Sequence, residues 1–564
     1  MNWGWDKETE VRPLGGAYGE KVMKREQQAN RPASFKLDSV DRKLIQLLAE
    51  RSSILAKTAK DRKGKDRSFV DPEQEKRLWG IWRQGVEEHG LNERLLRRVF
   101  NLINSLAYEQ AERREDWVMA LHPRLEPVDI DLPGPLDTLS TRMWLVTAAA
   151  LGQGVRIPGA VLNDDLIELI KACNQAGADM GWDQEGAGSG GNAPQFDHAS
   201  IFAGQDAFNF YVLLCLAMSS PGVCRFNGGT RLKAESMGFV ASVLSAFGAR
   251  QVSLVPGSEG VPLRLEASGE IPGELEIPEK APRELVLALL LVAPRWVQEK
   301  GAFRLRLPPD SNQGWGISRI FSLWSQIGMD WEMDGRDVFL RGGELSVPSQ
   351  PQVPLDPLLA GCVLAMPAFQ GGEVLLRGHF PGSGPERDVL IQACEQAGLD
   401  LSIQTGQVHS VRALEATREL NMDCRTLPAF APLALALAVA SGGESHIRLD
   451  SGQDMDFAAH VLSGLGMESE QRSAQELRIR PARGRQQEPL SVTAPNATWS
   501  MGLALMALTG AKVSLKNPGA LTALWPQFWS LYKELPRPRA KAVLGEEKKE
   551  ESVHGQKRRR RIIE

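Results

Sequence analysis

Apolar and charged residues alternate with a helical period over the first fifth of the chain, starting near Ser34. The apolar positions are spaced by three or four residues, which places them along one side of a helix. These positions are Leu37, Val40, Leu44, Leu47, Leu48 and Leu55. Because neither glycine nor proline occurs between Ser34 and Gly64, the pattern predicts a first helix of about 30 residues.

Two further helices are predicted after this one. Asp71 followed by Pro72 is typical of a helix start, with an N-cap residue and proline at the first helical position. This second helix is expected to run to about Glu88, and a third from about Asn92 to Trp117. One long and two shorter helices cannot bury a long apolar stripe by themselves. We therefore expect a homodimer in which a second copy supplies the partner helices.

A different pattern begins near residue 128 and repeats every 65 to 75 residues or so. Each unit has an apolar, alanine- and leucine-rich helix, a glycine-containing turn and a short strand. The helical segments begin near Met143, Phe210, Glu284, Leu358, Ala431 and Met501. A second helix follows most of them and ends at a glycine, as a left-handed C-cap requires. These glycines are Gly177, Gly248, Gly328, Gly398 and Gly466. The pattern predicts six packed α/β units, three to a lobe, and an α+β class for the whole chain.

Composition changes this picture little. The formal net charge of -4 predicts no general attraction to nucleic acid or to an anionic membrane. No uninterrupted apolar run reaches about 20 residues, and none opens the chain, so we expect a cytoplasmic protein without a membrane span. The six cysteines form no C-x-x-C pair and are predicted to be buried thiols rather than metal ligands. They are Cys173, Cys215, Cys224, Cys362, Cys394 and Cys424.

The front helices resemble the all-α chorismate mutase family over roughly residues 34 to 115, best in the stretch from Asp41 to Arg51. The resemblance implies rearrangement of the dicarboxylate chorismate without a cofactor, at a site where cations hold the two carboxylates. It assigns that site to Arg51, Arg62, Asp71 and Glu75. Three further family positions have lost their residue type. They fall on Ser34, Gln74 and Ala111.

The larger part, about residues 128 to 535, resembles the enolpyruvyl transferase family that includes 5-enolpyruvylshikimate-3-phosphate (EPSP) synthase. The matching motifs are Thr138–Arg142, Asn163–Asp165, Gly229–Lys233, Asn517–Gly519 and Trp525–Pro526. The resemblance implies a two-lobed fold that transfers an enolpyruvyl group from phosphoenolpyruvate to shikimate 3-phosphate, without metal or cofactor. It makes Asp356 the catalytic residue. It assigns substrate binding to Thr138, Ser140, Arg142, Arg231 and Lys233.

Many charged positions of that family are altered in this chain. The lysine of the first motif falls on Asp137, a reversal of charge. Other altered positions are Phe202, Gln205, Phe208, Glu235, Pro282–Glu284, Ser451–Asp456, Thr498, Trp499 and Ala523. A catalytic Asp356 would need a cation beside it, and none is evident in the sequence. Arg142 can equally be a structural arginine, and Asp356 can equally be a helix N-cap.

Two hypotheses follow from these observations. The first is a shikimate-pathway enzyme with a divergent transferase site, with or without chorismate mutase activity. The second is a non-catalytic protein that senses a pathway metabolite or organises neighbouring enzymes. The expected domains are a helical module at 34–120 and a two-lobed domain at 128–535. Residues 1–33 and the charged tail 536–564, with its basic run Lys557–Arg561, are expected to be disordered.

Overall fold

A computed structural model of the chain divides into two units, residues 1–113 and 114–564, which are described separately. The structure describes residues 33–63, 72–93, 95–96, 99–100, 103–104, 107, 118–235, 237–255, 259–309, 316–412, 419–450, 452–481 and 488–539. The predicted disordered segments 1–33 and 536–564 therefore lie almost wholly outside the described residues, as does Asp71.

The first unit is helical. Helix α1 spans Ala33–Lys63 and helix α2 spans Pro72–His89, and the described residues between 93 and 107 form a third helical stretch. Asn92 starts this stretch, since its side-chain Oδ1 accepts a hydrogen bond from the Leu95 N–H at 3.1 Å. The predicted end of the third helix at Trp117 lies outside the described residues.

A small aromatic cluster holds these helices together. Phe100 is buried, and the rings of Trp79 and Trp82 on α2 meet it edge-on at centroid distances of 5.5 and 5.4 Å. Leu55 and Ala56 of α1 are buried as well. Burial is thus concentrated on the second half of α1, because the described apolar residues of its first half are exposed.

The second unit is built from short strands and helices. The strands are β1 (Met119–Leu121), β2 (Val128–Pro133), β3 (Val155–Pro158), β4 (Met180–Asp183), β5 (Gly186–Ser189), β6 (Ser200–Phe202), β7 (Gly222–Asn227), β8 (Ala249–Ser253), β9 (Leu263–Ala267), β10 (Glu274–Glu276), β11 (Ala302–Arg306), β12 (Asp330–Asp334), β13 (Asp337–Arg341), β14 (Gly372–Arg377), β15 (Leu399–Gln404), β16 (Gln407–Arg412), β17 (Asn421–Asp423), β18 (Ser445–Arg448), β19 (Glu468–Ser473), β20 (Glu476–Arg480), β21 (Leu490–Val492) and β22 (Val513–Leu515).

The helices of this unit alternate with the strands. They are α3 (Thr138–Ala150), α4 (Asp164–Gln175), α5 (Ala207–Met218), α6 (Thr230–Ala234), α7 (Val240–Ala246), α8 (Arg283–Lys300), α9 (Ile317–Ile327), α10 (Pro357–Leu364), α11 (Pro367–Gln370), α12 (Pro385–Gln396), α13 (Ala431–Ser441), α14 (Gly452–Gly464), α15 (Ala497–Ala507), α16 (Gly519–Leu524) and α17 (Phe528–Lys533). A short 3-10 turn, Pro428–Phe430, precedes α13.

Two separate hydrophobic cores define two lobes. The first core draws on residues between 139 and 353, and the second on residues 119–132, Val161 and residues 355–535. Within the described residues, the first lobe contains the sheets β3-β5-β4, β6-β7-β9-β8 and β10-β11-β13-β12. The second lobe contains β15-β16-β14-β2, β17-β18-β20-β19 and β1-β22-β21. The number of repeat units stays a prediction, because a count of sheets is not a count of equivalent repeats.

Residues 119 and 120 of strand β1 fall at the end of the stretch 34–120 that was predicted to be the helical module, after its third predicted helix. Met119 pairs with Leu515 and Leu121 with Val513 in an antiparallel ladder, so residues 119–121 belong to the second lobe. The physical reason is burial, because Leu121 is fully enclosed by the core of that lobe. A three-residue strand carries too little periodicity to be distinguished in sequence from the end of a helix.

The six helices that the apolar segments predicted fill the interiors of the lobes. In the first lobe α8 packs against α5 and α3, and in the second α13 packs against α15, with α10 also on α15. Helices α5, α13 and α15 have no polar face, as expected for helices buried on all sides. The five predicted C-cap glycines all have positive φ angles, between +59° and +84°, so that prediction is confirmed.

The predicted burial of the cysteines is also confirmed. All six are buried and unpaired, and burial raises the pKa of the Cys173 thiol to about 12. Among the described residues, no group of histidine, cysteine or carboxylate side chains has an arrangement that could hold a metal ion. No helix in the described part of the chain is both long and apolar enough to cross a membrane.

Candidate functional site

The chain crosses between the two lobes twice, and the two crossings lie side by side. Leu136 and Leu355 form an antiparallel bridge. The Asp137 N–H donates to the Pro354 carbonyl at 2.8 Å, and the Asp356 N–H donates to the Pro135 carbonyl at 2.9 Å. Each crossing ends at an aspartate that begins a buried helix, α3 in the first lobe and α10 in the second. The lobe junction thus carries two carboxylates close together.

Asp137, at the position where the resemblance places a lysine, uses both carboxylate oxygens. Oδ1 accepts from the Ser140 N–H at 2.6 Å and so caps α3. Oδ2 accepts from Nη2 and Nε of Arg319 on α9, at 2.7 and 3.0 Å. Arg319 also donates from Nη1 to Glu386 Oε1, in the first turn of α12, at 3.1 Å. The guanidinium therefore ties the first crossing to both lobes.

Arg319 is the cation that the sequence analysis did not find. It is only 15% exposed, and its partner Asp137 is 182 residues away in the chain. Burial alone would lower the pKa of Arg319, but the carboxylates of Asp137 and Glu386 outweigh burial and raise it. Nothing in the local pattern of α9 distinguishes this arginine from a solvated one. Its role appears only when the lobes are assembled.

Asp356 is confirmed as a helix N-cap, and its environment is unusual. Its Oδ1 accepts from the N–H groups of Leu358 and Leu359 at 2.9 and 3.0 Å. Burial, and then repulsion by the Asp137 carboxylate, raise the pKa of Asp356 to about 7. The two N–H groups and Arg319 act in the opposite direction. The catalytic role of Asp356 remains a prediction.

A cavity of about 390 Å³, here called the junction cavity, opens beside this cluster. Both lobes line it, and its polar lining includes Ser140, Arg319, Ser322, Gln352 and His379, beside the rings of Trp144 and Phe380. The Ser140 hydroxyl is buried and has no hydrogen-bond partner among the described residues. The residue lines the cavity, and its hydroxyl keeps an unused capacity for a hydrogen bond.

Arg142 lies on a different side of α3 from Ser140, although the sequence grouped the two. Its Nη1 donates to Asp206 Oδ1 at 2.8 Å and to Asn209 Oδ1 at 3.0 Å. Its guanidinium carbon lies 5.2 Å from the centre of the Phe208 ring, and Arg142 is 7% exposed. The arginine is thus neutralised and covered, which is the structural role that the sequence left open.

Around Arg142 the surface of the first lobe is acidic. Burial raises the pKa of Asp165, with Arg142 opposing and Asp206 reinforcing the shift. Burial also raises the pKa of Glu168, whose Oε2 accepts from the Gln205 N–H at 2.9 Å. The three remaining predicted binding residues, Thr138, Arg231 and Lys233, begin α3 or lie on α6, and Arg231 is exposed.

In the second lobe, neutral side chains lie where the resemblance places a histidine–arginine pair. Trp499 is buried, donates from Nε1 to Asp454 Oδ1 at 3.0 Å, and meets the ring of Phe457 edge-on. Thr498 donates to the side chain of Asn496, which caps α15. No cation of this lobe takes part in these described contacts.

In the helical unit, Arg51 is held by its neighbours. Its Nη2 donates to Asn104 Oδ1 at 2.7 Å, and its guanidinium carbon lies 5.4 Å from the centre of the Phe100 ring. The ring of Trp82 is 5.7 Å away. The side chains of Arg62 and Glu75 lie outside what the structure describes.

Comparison with known proteins gives a match for each unit. Residues 35–112 match the family model described as chorismate mutase type II. The chain is 24% identical over 436 residues to a 3-phosphoshikimate 1-carboxyvinyltransferase of Opitutus terrae, covering 73% of this chain and 96% of the relative. It is 26% identical over 425 residues to the protein of that name from Bordetella petrii, covering 72% and 93%.

Solved structures show the same fold. An EPSP synthase from Acinetobacter baumannii superposes with a TM-score of 0.61 at 16% identity, covering 73% of this chain and 96% of that one. The enolpyruvyl transferase NikO from Streptomyces tendae gives 0.56 at 17% identity, with the same coverage. Both resemblances and the predicted fold class are confirmed: a chorismate mutase domain is fused to an EPSP synthase-like domain. The identities of 16–26% are low and are consistent with a divergent member of that family.

Proposed function

We propose that this chain is a shikimate-pathway enzyme whose two lobes transfer an enolpyruvyl group from phosphoenolpyruvate to shikimate 3-phosphate. The observation that carries the proposal is Asp356, a carboxyl group with a pKa of about 7 at the junction of the lobes. A group that titrates near the working pH is present in both protonation states and can move a proton in either direction. The relatives above are named for this transfer.

Substrate binding is proposed for Thr138, Ser140, Arg142, Arg231 and Lys233. Ser140 supports it most directly, because its hydroxyl is buried in the wall of the junction cavity without a partner among the described residues. Arg319 brings a cation to the same wall. The helical domain is proposed to act on chorismate through Arg51, with Arg62, Asp71 and Glu75 completing its site. We propose that neither reaction needs a cofactor and that both take place in the cytoplasm.

Two assays on the full chain test the two halves of this proposal. Given shikimate 3-phosphate and phosphoenolpyruvate, the purified protein is expected to release phosphate. Asp356→Asn, which keeps the capping oxygen but cannot move the proton, is expected to lower that rate by about 100-fold or more. Given chorismate, the protein is expected to consume it, and Arg51→Ala to lower the rate by a similar factor.

The controls are substitutions of the same kind away from the sites. Asp423→Asn removes an exposed carboxylate paired with Arg425 and is expected to leave phosphate release unchanged. Lys57→Ala removes an exposed cation from the helix that carries Arg51 and is expected to leave chorismate consumption unchanged. The absence of phosphate release at high protein concentration would contradict the transferase proposal.

The second candidate is a non-catalytic protein that binds a pathway metabolite or organises neighbouring enzymes. The neutralisation of Arg142 by Asp206, with Phe208 covering it, favours this candidate, because a paired and covered guanidinium is a poor phosphate ligand. Binding of shikimate 3-phosphate or phosphoenolpyruvate by calorimetry, without phosphate release, would decide for it.

We propose further that the helical domain forms a homodimer through the first half of α1. Leu37, Val40, Leu44 and Leu47 are 52–62% exposed and lie along one side of the helix. A stripe of this kind is the surface that a second copy would cover. Leu44→Glu is expected to give monomers in analytical ultracentrifugation at micromolar concentration. Lys43→Glu, which adds negative charge beside the stripe, is expected to stay dimeric, and a monomeric wild type would refute the proposal.

A further inference from the structure

Two aspartates occupy matching places on the two crossings between the lobes. Asp137 begins α3 and Asp356 begins α10, and each caps its own helix with one carboxylate oxygen. The crossings are hydrogen-bonded to each other, and this holds the two carboxylates close together. Burial is the largest cause of the raised pKa of Asp356, and the Asp137 carboxylate is the second. A pair of this kind needs a nearby cation if both members are to ionise near neutral pH.

Arg319, on helix α9, supplies this cation. Its bonds to Asp137 Oδ2 and Glu386 Oε1 fix the guanidinium between a crossing and the second lobe. It is close enough to Asp356 to lower the pKa of that carboxyl. Among the described residues, the charged or titratable groups with the largest mutual effects on Asp356 are Asp137, Arg319 and the Cys362 thiol on α10. Glu386 acts through Arg319.

We propose that Arg319 is a positioning residue: through its paired bonds to Asp137 and Glu386 it holds the lobe junction together and places a cation beside the two aspartates of the crossings. In this chain the positive charge that the resemblance assigns to position 137 is supplied from α9 instead. The carboxylate of Asp137 then serves to orient that cation. This inference rests on the proposed function for its catalytic meaning, but the effect on Asp356 is independent of catalysis.

The test measures the free energy of unfolding in urea over a range of pH. In each of three backgrounds, wild type, Arg319→Met and Arg319→Lys, the protein with Asp356 is compared with its Asp356→Asn variant. The stabilisation that Asp356→Asn brings grows with pH and levels off once the folded Asp356 has ionised. It is expected to level off near pH 7 in the wild-type background. In the Arg319→Met background it is expected to level off about one pH unit higher or more.

Arg319→Lys keeps the charge, and its curve is expected to follow that of the wild type closely. Arg304→Met is the matched control, since Arg304 also bridges two carboxylates, Asp337 and Glu274, but on the sheet surface. Its curve should equal that of the wild type. The same level-off pH in the wild-type and Arg319→Met backgrounds would overturn the inference. Should Arg319→Met fail to fold, Arg319→Gln removes the same charge but keeps a donor for Asp137: a level-off pH about one unit higher supports the inference, and an unchanged one overturns it.

The pH profile of phosphate release distinguishes this inference from the proposed function. If the wild type releases phosphate, the limb of the profile near pH 7 is expected to move upward with Arg319→Met by the same shift as in unfolding. If the wild type releases none, the transferase proposal fails while the unfolding curves still decide the role of Arg319. A limb that stays in place while activity falls would mean that Arg319 is merely structural.

Discussion

Asp137→Lys, which introduces the residue that the resemblance places at this position, is expected to destabilise the protein by roughly 3–5 kcal/mol and to restore no activity. The change removes the carboxylate that accepts both the Arg319 bonds and the cap bond of α3. It also places an ammonium group against a largely buried guanidinium, where water screens the repulsion poorly. A lysine at position 137 is therefore expected to be incompatible with this junction as long as Arg319 is present.

Urea unfolding of three variants checks this expectation. Asp137→Asn keeps an oxygen that can cap α3 but loses the charge, so its loss of stability is expected to be smaller. Asp137→Lys combined with Arg319→Met removes the competing cation and is expected to recover most of the loss. A single Asp137→Lys variant as stable as the wild type would show that the pair of Asp137 and Arg319 does not hold the junction.

Asp356→Asn is expected to stabilise the protein by roughly 2–4 kcal/mol at pH 8 and by nearly nothing at pH 4. The sign follows from the raised pKa of Asp356, about 7 in the folded protein against 3.8 as the ordinary value. Below pH 4 the carboxyl is protonated in both states, and its full contribution to stability is present. As the pH rises to 7, the unfolded chain ionises first, so that contribution is lost.

Unfolding in urea at several pH values measures this difference directly. The variant keeps the N-cap of α10, because the side-chain oxygen of asparagine accepts the same hydrogen bonds from the N–H groups of Leu358 and Leu359. Asp423→Asn, at an exposed carboxylate whose pKa is lowered by Arg425, serves as a control and is expected to act in the opposite direction above pH 4. Equal stability of Asp356→Asn and the wild type at pH 8 would contradict a raised pKa.

Local sequence patterns determined most of the scaffold. Apolar periodicity predicted the long first helix, which runs from Ala33 to Lys63, and the buried helices of both lobes. The positions of five glycines indicated where helices end, because only a residue without a side chain adopts a positive φ there at little cost. The charge reversal at position 137 was also evident. Short strands such as β1 were missed, since three residues carry too little pattern to distinguish them.

The functional site depended on tertiary structure. Ser140 and Arg142 are two residues apart in sequence, yet one lines the junction cavity and the other is paired with Asp206. Arg319 meets Asp137 across 182 residues, and the crossings bring Asp137 to Asp356. A sequence fixes which residue types are present and how regularly they recur. Which charge neutralises which carboxylate, and hence where each pKa lies, is decided by distances and burial that exist only once the lobes are folded.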